Sequence, residues 1–400
     1  MSETANYPAL ILRRGEERRL RAGHLWVFSN EVDVVRTPLN AFQPGDPVVI
    51  LDHAGKPLGT GYAHPNTLIC ARLVDRSGYA LDRSLIVHRL KIALSLREKL
   101  YAEPYYRLVF GESDGLPGLT VDRFGDVVVA QATTAGMERL RGEATEALLK
   151  VLDPKALVWK NDSSARAMEG LAESVDVVHG ELPERITVRE GGVEFICDLL
   201  EGQKTGWFYD QRGNRDRLQQ YVKGARVLDM FSYLGGWGLR SAAFGASAVD
   251  CVDASARAVA GIRENIALNG CADRVAAHAA DAFDFLKAAR GERRKWDVVI
   301  LDPPAFVKRK KDFKEGALAY RRLAEAGMQV LERDGILISC SCSHHMPRAA
   351  LLDGMQQGAR HLDRFLQVLE PLSQSPDHPV HPAIPETEYL KGYITRVLPV

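Results

Sequence analysis

Four hundred residues, 46% hydrophobic and 26% charged, have the balance of a soluble globular chain, and at roughly 100–200 residues per domain they predict two or three cores. No apolar run approaches the roughly 20 residues of a membrane span. The start, MSETANYPALILRRGEERRL, lacks the order of a secretion signal, so membrane and secreted classes are excluded and the cytoplasm is expected. The formal net charge is zero, so any binding of nucleic acid must use local positive fields.

Residues 1–75 hold LWVF, PVVILD, LGTGYA and TLICARLV, separated by the turn signals PGD and HAGKP, and predict a small all-β module. Within it Arg13, Arg14, Arg18, Arg19 and Arg21 stand against Glu16 and Glu17. Residues 76–189 begin with LDRSLIVHRLKIALSLREKLY, apolar at helical spacing, and continue through GESDGLPGLTVDRFGDVVVAQ to the amphipathic MERLRGEATEALLKVL. They predict a mixed α+β central domain. From 190 to 400 five strand-like runs, RVLDMF, SAVDCVDAS, RVAAHAADAF, WDVVILDPPAF and GILISCSCS, mostly alternate with helical patterns. That alternation predicts an α/β, Rossmann-like doubly wound sheet with ligands beyond the carboxyl ends of its strands. FLQVLEPL and KGYITRVLPV are expected to close it as an antiparallel hairpin, which points away from a plain dinucleotide fold.

Four strand ends carry an aspartate: Asp229, Asp253, Asp281 and Asp302. One would mean little, since aspartate favours turns and caps. Between the first two lies Ser232-Tyr-Leu-Gly235-Gly236-Trp-Gly238, whose glycines let backbone approach a ligand, and Asp253 follows Gly235 by 18 residues, near the usual spacing of about 20 for an acid that binds ribose hydroxyls. A nicotinamide enzyme would share these two elements. Asp281, placed for an adenine edge, and the turn Asp302-Pro303-Pro304, suited to a planar amine or base beside a methyl donor, favour S-adenosylmethionine.

KTGWFYDQRGNR, VLDMFSYLGGWG, VILDPPAF and SCSHHM resemble the bacterial 23S ribosomal RNA cytosine-5 methyltransferase family. Upstream, GHLWVFSNEV resembles the start of that family's RNA-binding PUA β-barrel, and RLVFGESDGLPGLTVDRFG its middle domain. The resemblance covers nearly the whole chain. It implies a cofactor site of Asp210, Gln211 and Arg212 near the methionine part, with Asp229, Phe231, Ser232, Gly235, Gly236, Asp253, Asp281 and Asp302. It also implies an RNA substrate met by Pro303, Pro304, Lys308, Arg309 and the five arginines of the β module. The oligomeric state is left open, with a homodimer as one form.

Six cysteines in a reducing compartment argue against a disulfide framework. Cytosine C5 is a poor nucleophile, and a thiolate added to C6 makes C5 able to take a methyl group. Cys342 fills the cysteine of the family's Ser-Cys-Ser motif and is the implied nucleophile, with Asp302 as an acid near N3. Cys340 is read as packing, although alternation puts both on one face of the strand. Zinc held by Cys340, Cys342, His344 and His345 is a rival whose spacing is too tight for the usual structural site; no metal is expected. Ala305 stands where many relatives have lysine, and the base that removes the C5 proton is unassigned. Two other functions stay open: amino-group methylation of a base or protein, which needs no cysteine, and an RNA-binding or assembly protein without activity.

Overall fold

The structure, a computed structural model, describes residues 6–199, 202 and 205–400. The first five residues of the N-terminal stretch, and Lys204 of KTGWFYDQRGNR, lie outside them. Two compact units are formed. One comprises Met1–Ile186, Asp198–Trp207 and Pro376–Thr387; the other comprises Thr187–Cys197, Phe208–Ser375 and Glu388–Val400.

In the first unit, one five-stranded sheet runs in the order Ala9–Ile11, Asp46–Leu51, Pro57–Ala63, Ile69–Asp75, Trp26–Phe28. The four predicted strands are present. Ala9–Ile11 adds a parallel fifth, paired with Val49, Ile50 and Leu51. A second five-stranded sheet contains Tyr105–Phe110, Leu119–Phe124, Val127–Ala132, Ala156–Asn161 and Ser174–Gly180. It shares a core with the helices Arg83–Leu100 and Arg141–Leu152 through Ile86, Leu90, Ala144 and Leu148. Asp82 starts the longer helix by accepting the Leu85 N–H at 2.9 Å, which satisfies an otherwise orphan donor. Sequence periodicity picks out only one of these five strands. Charged residues interrupt the rest, and in the fold they answer one another: Arg107 grips the fully buried Asp122 with two hydrogen bonds of 2.5 and 2.9 Å.

The second unit is organised by a seven-stranded sheet: β1 (Arg226–Met230), β2 (Ala248–Asp253), β3 (Val275–Ala279), β4 (Trp296–Leu301), β5 (Leu331–Ser341), β6 (Arg364–Ser373) and β7 (Lys391–Pro399). Their order is β3-β2-β1-β4-β5-β7-β6. β7 runs opposite to the other six strands, antiparallel to both β5 and β6, so the expected hairpin closes one side. Helices follow the first five strands in turn: α1 (Gly236–Ala243), α2 (Ala256–Leu268), α3 (Ala282–Gly291), α4 (Phe313–Gln329) and α5 (Arg348–His361).

The central strands are apolar on both faces because both are covered. Leu228, Met230 and Leu301 share a core with Leu286 of α3, Leu323 and Met328 of α4 and Leu351 of α5. The alternate face of β1 and β2 meets α1, where a Cβ on Gly238 would lie 2.3 Å from Cys251 Sγ and 3.2 Å from Asp229 Oδ2. Strand order reverses between β1 and β4, and that switch point opens a crevice at the carboxyl ends.

The tight approach at Gly238 gives a first test. Gly238→Ala should destabilise the protein by about 1–3 kcal/mol through overpacking, and the double variant Gly238→Ala/Cys251→Ala should recover part of the loss in urea denaturation. An unmoved midpoint in the single variant would show that α1 yields freely.

Candidate functional site

Each predicted aspartate stands at or just past the carboxyl end of its strand, and each is held differently. Asp229, fully buried, accepts the Gly238 N–H at 2.9 Å and the Ser232 hydroxyl through Oδ2. Its Oδ1 is buried and has no partner among the described residues. Burial pushes this carboxyl up to about 7, against the two hydrogen bonds that pull it down. Asp253 is partly exposed at the end of β2, with Tyr233 N–H on one oxygen and Ser255 N–H on the other, both at 2.9 Å. Asp281 is exposed and caps α3, where Oδ1 accepts from Phe283 and Asp284.

The loop between Asp229 and α1 is bent sharply. Phe231 and Tyr233 have φ of 62° and 53°, left-handed values that cost non-glycine residues about 1–3 kcal/mol each. Ser232, buried between them, is tied to the next strand by its N–H to Val252 O at 3.0 Å. Gly235, at φ 85°, receives the turn at low cost, and Gly236 begins the helix.

Asp302 follows β4. Its oxygens accept from Gln211 Nε2 at 3.0 and 2.9 Å, and Oδ2 also accepts from Trp237 Nε1 at 3.0 Å. Burial, helped by Asp210, lifts this carboxyl to about 6, while the hydrogen bonds and Arg215 pull it down. Asp210 is held by the Tyr389 hydroxyl on Oδ2 and by Ser375, whose N–H and hydroxyl both reach its carbonyl. Arg212 lies over the Tyr209 ring, 5.3 Å from its centroid, and 3.8 Å from Glu190. Arg215 closes on the same Glu190 with two bonds of 2.6 Å.

Leu301 pairs with Ser339 across β4 and β5, so Asp302 stands beside Cys340. Cys340 is fully buried, and burial raises its thiol well above 9. Cys342, past the end of β5, is the one cysteine of six that is not buried. Its Sγ is 4.0 Å from Pro303 O, in the turn whose Pro303 is buried and Pro304 exposed. Neighbouring side chains fasten this loop. Tyr320 of α4 meets the Ser341 hydroxyl at 2.9 Å and the Ser343 hydroxyl at 2.8 Å, and Ser343 Oγ accepts the Val307 N–H at 3.1 Å. His344 and His345 are exposed with their rings edge-to-face, 5.2 Å apart. Among the described residues no three His, Cys, Asp or Glu side chains are gathered to hold a metal.

Two family models match the chain: a PUA-like domain at residues 10–76 and an S-adenosylmethionine-dependent methyltransferase at residues 169–390. Over 393 residues it is 38% identical to ribosomal RNA large subunit methyltransferase I of Shewanella denitrificans, covering 96% of this chain and 98% of that protein. The chain belongs to the ribosomal RNA large subunit methyltransferase I family. Its similarity to the member from Salmonella arizonae is 36% over 400 residues, 98% of each protein. Among solved structures, a SAM-dependent methyltransferase from Streptococcus mutans shares the fold with a TM-score of 0.81 at 22% identity, over 97% of this chain and all of that one. A methyltransferase complexed with SAH gives 0.83 at 23% identity over the same shares.

The cofactor of this methyltransferase is S-adenosylmethionine, and the strand-end groups fit it. Asp253 is oriented by two backbone donors, and its remaining lone pairs suit a pair of ribose hydroxyls. The unpartnered Oδ1 of Asp229 suits a cationic donor such as the amino group of the methionine part. Of the residues now at the site, Trp237, Tyr320, Tyr389 and Lys391 escaped sequence reading. Only Lys391 left a signal there, a charge heading an otherwise apolar strand, KGYITRVLPV.

The basic runs separate into bound and outward cations. Arg19 bonds both oxygens of Glu31 at 2.7 and 2.9 Å and lies over Phe28, Arg21 bonds Asp52 at 2.7 Å, and Arg13 Nε reaches Val32 O at 3.1 Å. Arg14 and Arg18 are exposed and make no such bond among the described residues. In the second run Lys308 is exposed, and Arg309 pairs with Asp312 at 2.9 Å.

The two raised carboxyls make stability depend on pH in a definite sense. A group whose folded pKa lies above its unfolded value binds more protons in the folded chain, so its contribution is whole below about pH 4 and is lost as pH rises through the folded value. For Asp229 that value is about 7. Relative to wild type, Asp229→Asn should therefore gain stability between pH 5 and 8, on the order of 2 kcal/mol, in urea unfolding of the cofactor-free protein. A difference that stays flat across that range would refute the shift.

Proposed function

We propose that this methyltransferase forms 5-methylcytosine in large-subunit (23S) ribosomal RNA through a covalent bond between Cys342 and C6 of the target base. The observation that carries the reading is that Cys342 alone among six cysteines is partly open to solvent, 4.0 Å from the carbonyl of Pro303 in the Asp302-Pro-Pro turn. Relatives named for large-subunit ribosomal RNA support the substrate.

S-adenosylmethionine, when bound, supplies the methyl group. Asp253 and Asp281 hold its adenosine end, and the Ser232–Gly236 loop, Asp229, Phe231 and the Asp210–Arg212 segment hold the methionine end. Pro303 and Pro304 seat the cytosine ring. Cys342 attacks C6 as thiolate, forming a carbon–sulfur bond and pushing the displaced electron pair toward C5 and N3. Asp302, whose carboxyl burial lifts to about 6, stands as the acid near N3: its protonated fraction donates as charge develops there and recovers the proton when the thiolate leaves. After C5 takes the methyl group, a base removes the C5 proton, the C5–C6 double bond re-forms and the thiolate departs. We read residues 1–75 and 76–189 as RNA-binding and central domains serving a catalytic domain of 190–400.

RNA carrying 5-fluorocytosine should trap the enzyme as an adduct that survives denaturation, since C5 then holds no proton to lose. Cys342→Ala should abolish adduct and turnover while cofactor binding persists, and Cys340→Ala should still trap. Loss of the adduct in Cys340→Ala alone would name the other thiol; no adduct in any form, with turnover intact, would favour amino-group methylation.

The β module's contribution to RNA binding rests on its outward cations. Neutralising Arg14 and Arg18 should weaken binding to different RNA sequences alike and reduce the slope of log affinity against log salt by roughly 1–2. Neutralising Arg19 or Arg21, whose charges are already answered, should change that slope less. Equal slopes in all variants would assign the run to solvated surface.

A further inference from the structure

Lys391 opens β7 and pairs with Ser341 across the sheet, so its backbone lies opposite the residue before Cys342. Its side chain is buried, and Nζ donates to Ser343 O at 2.7 Å and Met346 O at 3.0 Å. These two carbonyls bracket the turn that follows Cys342. No carboxylate pairs with Lys391 among the described residues; Glu388, three residues earlier, is turned to Arg348 at 3.4 Å. A buried ammonium without an anion is costly, and its position under the Cys342 loop names the anion that would complete it.

We propose that Lys391 is a positioning residue that holds the Cys342 loop and whose charge keeps the Cys342 sulfur ionised for attack on the base. The proposal rests on the reading of Cys342 as the nucleophile. A thiol beside a lysine has a lowered pKa; Lys391 is itself lowered on balance, burial outweighing the upward pull of Cys342 and, less, of Glu388.

The other ionisable groups around the loop do not supply this charge. Tyr320 and Cys340 are kept protonated by burial. Asp210, and Asp302 in its ionised form, carry negative charge, which opposes a thiolate. Arg348 is answered by Glu388, and His344 and His345 are exposed to solvent, which screens them.

The test is alkylation of Cys342 by iodoacetamide in the full-length, RNA-free protein, followed by peptide mass spectrometry from pH 5.5 to 10, with Cys342→Ala as the site control. Wild type should show a midpoint below the ordinary cysteine value of about 8.5. Lys391→Met should raise it by about one unit or more, roughly a tenfold loss of thiolate near neutrality. Lys391→Arg should restore most of the shift, which a role in packing alone would not. An unmoved midpoint in a Lys391→Met protein that still binds S-adenosylmethionine overturns the proposal; if that variant fails to fold, a wild-type midpoint at or above about 8.5 overturns it instead. Fluorocytosine trapping separates the two readings. An RNA adduct with an unmoved midpoint removes only the role of Lys391, and a lowered midpoint without an adduct removes the nucleophile.

Discussion

The carboxylate of Asp302 is the point on which the catalytic unit converges. Burying it without partners would cost several kcal/mol, and its partners come from two other stretches of chain, Gln211 from the segment before β1 and Trp237 from α1. Gln211 is itself fixed by Asn214 at 2.6 Å, and Arg215 on the next turn is locked to Glu190. Satisfying one acid therefore orders a connected floor, in which each polar group is the condition for burying the next. Burial lifts Asp302 to about 6 while the hydrogen bonds and Arg215 of this floor pull against the rise, so the residues that build the architecture also set the acid–base capacity.

A second constraint fastens the loop after β5. The hydroxyls of Ser341 and Ser343 are both engaged by Tyr320, and Lys391 draws in the two carbonyls beyond them. The serines of the Ser-Cys-Ser motif are thus anchors, and the cysteine between them is left partly open beside the proline turn. A motif written as three adjacent residues depends on α4 and β7, more than 20 residues before it and nearly 50 after it.

Zero net charge conceals an uneven use of cations. Arg97, Arg107 and Arg215 are spent on interior acids, and within the run from Arg13 to Arg21 two arginines are paired. Arg14, Arg18 and Lys308 are among those left to present charge outward. A run of basic letters is therefore a poor measure of field, because pairing decides which charges solvent or a phosphate meets.

Sequence alone determined the doubly wound sheet, its closing hairpin and the strand ends that carry Asp229, Asp253 and Asp302. Apolar runs of that length between helical repeats have few other ways to be buried, and acids at their ends must fall on one edge. The resemblance to a known family added the roles of Cys342 and of the Asp210–Arg212 segment. Periodicity failed in the central sheet, where Arg107 and Asp122 break the apolar pattern and satisfy each other only once folded. The tertiary structure decided which thiol is open, which arginines face outward, and that Tyr320 and Lys391 hold the reactive loop. Each of those depends on burial and on partners distant in the chain, and neither a residue's exposure nor its pKa is a property of its neighbours in sequence.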